Sequence, residues 1–73
     1  MKVKELFGKE VIDADAKIVG YIKDVEIDEK KWVVSGIIVK AGFIKKLTIP
    51  ISDIDKMGDR VVLRTTVDKI KKT

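Results

Sequence analysis

A chain of 73 residues is one domain (1–73), close to the smallest size that holds a core without staples. It has no Cys and no His, which excludes disulfides, thiolate or imidazole metal sites and imidazole bases. Its net charge of +4 comes from 16 basic and 12 acidic residues mixed along the chain. That pattern reads as a solubilising surface rather than the one-sided, aromatic-bearing basic patch of a dedicated nucleic-acid binder.

Asn and Gln are also missing, and charged residues make up 38% of the chain. Few thermolabile and many ion-pairing residues point to a heat-adapted source. The apolar runs are far shorter than the ~20 residues of a spanning helix. Met1-Lys2-Val3-Lys4-Glu5 is not followed by the apolar stretch of a signal peptide, so a cytoplasmic location is expected.

Val and Ile dominate the apolar residues, and turn signals recur at short intervals, which predicts an all-β sandwich or barrel. The first strand is expected over 9–13, with Gly8 before it in a conformation that other residues resist. Asp13 and Asp15 close an acidic turn by accepting backbone N–H groups. The later glycine and bidentate Glu of a calcium loop are missing.

The second strand is expected over 17–28. Ile18, Gly20 and Ile22 share one face, whereas Val25 and Ile27 have the opposite parity. This predicts a β-bulge near Lys23-Asp24, with Asp24 fixing the bend through backbone hydrogen bonds. Gly20 allows close backbone approach at a barrel corner.

The third strand, expected over 32–40, is apolar on both faces: Val33, Ile37 and Val39 on one, Trp32, Val34 and Ile38 on the other, with Gly36 interrupting it. Only one face of so small a barrel can point inward. The other must be covered by the C-terminal segment, a second subunit or a partner. A partner would contact Trp32, Val34 and Ile38, with Val62 beside them. Trp32 itself reads either as a core residue or as an interface anchor.

Ala41-Gly42 turns into a fourth strand over 43–51, where Leu47, Ile49 and Ile51 alternate with polar neighbours. Pro50 belongs at an edge or strand end. Ser52 is a candidate N-cap for a helical turn near 52–56, which Gly58 would end. The fifth strand spans 60–65, with Val61 and Leu63 inward. Val67 and Ile70 have the spacing of a short C-terminal helix, followed by a basic tail.

Asp13, Asp15, Asp24 and Asp28, with Lys9 or Lys23, would be the carboxylates and bases of an enzyme. Such pairs arise by chance in a chain this charged, and no Gly-rich phosphate loop accompanies them. No catalytic, cofactor-binding or metal site is expected.

The succession Leu6-x-Gly8-Lys9-x-Val11, Asp13, Asp15, then Gly20-Tyr21-Ile22-Lys23-Asp24-Val25-x-Ile27-Asp28 resembles the PRC-barrel family. Ile49-Pro50, Ile54 and Gly58-Asp59-x-Val61 extend the likeness over nearly the whole chain. One departure is Ala16, where the family often has Gly, which suggests a slightly different turn.

The resemblance implies a small five- to six-stranded antiparallel β-barrel. It also implies a docking module, since members with known roles are docking modules rather than catalysts. The family includes the cytoplasmic domain of the photosynthetic reaction-centre H subunit and the C-terminal domain of ribosome maturation factor RimM. Stand-alone archaeal versions are linked to cell division, as adaptors to the SepF anchor of the FtsZ ring. The expectation is therefore a non-catalytic protein–protein adaptor. Its partner would be a division protein or a related PRC-barrel, in a homodimer or heterodimer. The alternative is an RNA- or ribosome-associated module related to RimM.

Overall fold

The computed structural model describes residues 1–42 and 45–66. A short 3-10 turn at Val3–Glu5 precedes six strands, β1 (Glu10–Ile12), β2 (Ile18–Asp28), β3 (Val33–Ala41), β4 (Lys45–Pro50), β5 (Ile54–Met57) and β6 (Val61–Leu63), and a second at Ile51–Asp53 lies between β4 and β5. They form one sheet in the order β4-β3-β2-β1-β6-β5. The sheet curls into a half-barrel, and the 3-10 turn at Ile51–Asp53 links its two edge strands directly.

The fold is all-β, as the turn spacing predicts, but the sheet is mixed. β1 and β6 run parallel, with Val11 opposite Val61 and Ile12 opposite Val62. A parallel pair needs a long crossover, and here the whole of β2 to β5 supplies it. The other pairs are antiparallel.

The concave side holds the core: Leu6, Val11, Val19, Ile22, Ile37, Val39, Ile49, Val61 and Leu63. Fully burying one such side chain contributes about 1.5–3 kcal/mol. Two glycines have clear geometric reasons. Gly8 has φ +83°, and its N–H bonds to Ile22 O at 2.7 Å, which extends the β1–β2 ladder. A Cβ on Gly20 would lie 2.2 Å from Lys40 O, so β3 can approach only because that position has no side chain.

The bulge expected at Lys23-Asp24 is present. Ile22 pairs with Val39 and Asp24 with Ile38, leaving Lys23 as the extra residue. Asp24 Oδ1 accepts the Val25 N–H at 2.8 Å and so fixes the bend. Pro50 ends edge strand β4, as expected of a residue with no N–H.

Three other shifts of register correct the expected faces. Val19 is the extra residue between the Val11–Gly20 and Ile12–Ile18 pairs. Ile18 therefore turns outward and is exposed, away from the face of Gly20 and Ile22. Ser35 is extra on β3, between the Glu26–Gly36 and Ile27–Val34 pairs. Val34 thereby joins the face of Ile37, while Val33 is exposed. Each added residue inverts the parity of the residues beyond it.

The third correction concerns 52–56. Ser52 makes no cap: the 3-10 turn at Ile51–Asp53 has Pro50 at its N-cap position and no side-chain cap bond. Ile54–Met57 is strand β5, so Gly58 ends a strand and not a helical turn. Asp55 is the extra residue between the Ile54–Leu63 and Lys56–Val62 pairs. It puts Ile54 and Met57 on one face three residues apart, a spacing that reads as helical in sequence. Their backbone groups bond to β6, and Arg64 N–H reaches Asp53 O at 2.7 Å. The start of the expected fourth strand, Phe43, and the expected helix at Val67 and Ile70 with its basic tail lie outside the described residues.

Candidate functional site

Three of the four carboxylates weighed as catalytic groups, Asp13, Asp24 and Asp28, accept backbone N–H groups, whereas Asp15, expected to do the same, contributes its own N–H to the Asp13 carboxylate. Asp13 is buried, and its Oδ1 accepts the N–H groups of Asp15 at 2.9 Å and Lys17 at 2.8 Å. Asp28 Oδ1 accepts from Lys30 N–H at 2.9 Å and Lys31 N–H at 3.3 Å. The Lys9 ammonium donates to Gly58 O, which ties β1 to the β5–β6 turn. Among the described residues, no three His, Cys, Asp or Glu are placed to hold a metal ion.

The structure separates the four residues expected to meet a partner. Trp32 stands in the β2–β3 turn, 79% exposed. Its backbone N–H donates to Asp28 O at 2.6 Å, and its φ of +55° is left-handed, a conformation that L side chains resist. Val34 faces the concave side. Ile38 lies on the convex side of β3, opposite Thr48, six residues and roughly 20 Å from Trp32 at the usual strand rise. Val62 is on β6, which β2 and β1 separate from β3.

Two of the four nevertheless belong to one surface. Trp32 borders a shallow groove with Val25, Glu26, Ile27 and Glu29. Ile27 is paired with Val34 across the β2–β3 ladder. Val34 in turn lines an apolar groove of about 220 Å³ with Met1, Lys2, Val3, Leu6, Ile37, Ile51 and Met57. The open end of the half-barrel thus carries two neighbouring grooves, one bordered by Trp32 and Ile27 and the other by Val34, Met1, Val3 and Ile51, which meet where Ile27 pairs with Val34 to form an apolar strip. Met1, Val3, Ile27 and Ile51 are each exposed, Met1 the most so. Met1 and Val3, at and before the first 3-10 turn, carry no strand pattern, whereas Ile51, expected to alternate with Leu47 and Ile49 at the end of the fourth strand, instead opens the second 3-10 turn and is exposed.

The convex side is different. Glu10 forms an ion pair with Arg60 at 3.0 Å and accepts from the Tyr21 hydroxyl at 3.5 Å. Farther along the same row of the sheet, Lys40 is paired with both Tyr21 and Lys46. Repulsion from the nearby Lys46 ammonium lowers the pKa of Lys23. Lys40 adds to the effect and Asp24 opposes it.

This arrangement is a small curled sheet with an open apolar end, the architecture of a compact β-barrel module. The PRC-barrel domain matches residues 1–70, and the chain belongs to that family. No curated protein matches the chain. Among the described residues, no helix is long and apolar enough to cross a membrane.

Proposed function

We propose that this PRC-barrel is a non-catalytic docking module that binds a protein partner on the open apolar end of the half-barrel, with Trp32 as the anchor. The observation that carries the reading is the strip from Trp32 to Met1, in which large apolar side chains stay in water next to a groove. Contiguous apolar surface of this kind is characteristic of interaction sites, and exposed Trp is a frequent anchor. Backbone strain at Trp32 supports the same reading. Left-handed non-Gly residues cost about 1–3 kcal/mol and cluster at functional positions.

The partner we propose is a second PRC-barrel, a copy of this chain or a related one. Its larger context would be an archaeal division assembly of the SepF–FtsZ type, a step that rests on family resemblance. Sedimentation across a concentration series, for the native protein and Trp32→Gly, tests self-association. An affinity pull-down from the source lysate, with the same variant as control, tests a different partner. A protein that stays monomeric and captures nothing that depends on Trp32 would sink the proposal.

The ribosome-associated alternative has less support. Three lysines gather on the convex face, but Lys2, Lys9, Lys17, Lys30 and Lys56 are spread over other elements. A phosphate-tracking surface would concentrate them.

A further inference from the structure

The lysine cluster on the convex face lies apart from the apolar end. Three features of the fold build it. The bulge at Lys23 leaves both Lys23 and Asp24 exposed instead of turning one inward. Antiparallel pairing sets Lys40 directly opposite Lys46. The Lys46 ammonium lies near enough to Lys23 for its charge to lower the Lys23 pKa. Like charges facing each other across a ladder destabilise a sheet. Among the described residues, none of the three lysines forms an ion pair. The fold therefore maintains a cationic cluster spanning three adjacent strands with no direct ion pair among the described residues, and the repulsion within it is relieved when an anion arrives.

We propose that Lys23, Lys40 and Lys46 bind an acidic segment of a protein partner laid across β3 and β4, with Ile38 as its apolar contact.

The boundaries of the patch favour a peptide over a nucleic acid. Glu10, Asp24 and Glu26 line its β1–β2 side, so a phosphate backbone running across the face would meet carboxylates. Tyr21, opposite Lys40, is the one aromatic beside the cluster among the described residues, and its hydroxyl is directed to Glu10, whereas single-stranded nucleic acid is tracked by several stacked aromatics. Ile38, partly buried between Asp24 and Thr48, gives an apolar point that a protein side chain can cover. An extended peptide repeats its same-face side chains about every 6.8 Å, which suits a short run of carboxylates over a compact cluster. The cluster also occupies β4, an edge strand among the described residues. Lysines on an edge repel a second copy of the same edge and admit an acidic one.

Fluorescence anisotropy with a labelled octaglutamate peptide tests the proposal, with octauridylate RNA as the competing probe. Combined Lys23→Gln, Lys40→Gln and Lys46→Gln should weaken octaglutamate binding by about tenfold or more at low salt, where charge contacts are least screened. A control with equal charge removed, Lys2→Gln, Lys30→Gln and Lys56→Gln, should change it by less than about twofold. The triple variant loses internal repulsion, so it is expected to fold. In the native protein, the Lys23 pKa followed by NMR should rise on peptide binding. An equal loss in the control, a Lys23 pKa that does not move, or tighter binding of the RNA than of the peptide would overturn the proposal.

Discussion

Trp32 is where a structural and a functional role predict different numbers. A core Trp cut back to a small residue costs about 3–5 kcal/mol. Trp32, at 79% exposure, has only about a fifth of its surface covered. That is on the order of 50 Å², or about 1.3 kcal/mol at ~25 cal/mol per Å². Against this loss, Trp32→Gly removes the left-handed penalty of about 1–2 kcal/mol. Glycine then adds back about 0.5–1 kcal/mol in backbone entropy. The three contributions nearly cancel, and stability should stay within about 1 kcal/mol of the native protein. In a domain of this size that is a Tm change of less than about 8 °C. Trp32→Asn, which tolerates the left-handed region without the full entropy cost, should do no worse. Chemical denaturation at low protein concentration keeps any oligomer from contributing to the stability. A loss of 3 kcal/mol or more, by the core-truncation scale, would refute the reasoning, because Trp32 would then belong to the fold. Near-neutral stability together with lost self-association or partner capture would establish Trp32 as an anchor.

Three further substitutions test how the fold is held. Gly20→Ala should cost about 3 kcal/mol or more, since its Cβ would meet the Lys40 backbone, whereas Gly58→Ala, with open space around it, should stay within about 0.5 kcal/mol by urea denaturation. Asp13→Ala removes the acceptor of two turn N–H groups and should cost about 2–3 kcal/mol, read as a fall in the denaturation midpoint. Ala16 has φ +64°, so Ala16→Gly should be neutral or stabilise by up to about 1 kcal/mol, seen as a higher Tm.

The Ala16 case also shows how local chemistry was legible. Where the family often has Gly, the alanine takes the left-handed conformation, and its N–H bonds to Asp13 O at 3.0 Å. Turn acids, Gly8, Gly20, Asp24 and Pro50 could all be placed from sequence because each answers a local backbone demand. So could the inward pair Val61 and Leu63, which sits on a strand with regular alternation. Ile18, Val34 and the Ile54–Met57 pair could not. A strict two-residue period has no means of counting a bulged residue, although Ser35 and Asp55 are types that favour irregular backbone and the Ser35 hydroxyl donates to Glu26 O at 3.3 Å. Gly36 was the available signal beside Ser35: a Cβ there would come within 2.8 Å of Ile49 O, and a glycine inside a strand often marks such an irregularity.

Bulges also decide where the two candidate surfaces lie. Without Ser35, Val34 would share the convex face with Ile38, and the strip beginning at Trp32 would break at Ile27. Without Lys23, the residue preceding Asp24 would be Ile22, and a buried side chain would adjoin Lys40 in place of a cation. Both irregularities fall within the β2–β3 ladder, the longest pairing of the sheet, which can absorb an added residue on either strand and keep its register elsewhere. Bulges re-aim side chains at a local cost. In this half-barrel one bulge turns an apolar side chain toward the open end, and the other adds a third ammonium to a pair already opposed across the ladder. The two proposed surfaces therefore lie on opposite faces of the sheet, so the proposed partner on the apolar end would leave the lysines exposed for the proposed acidic segment.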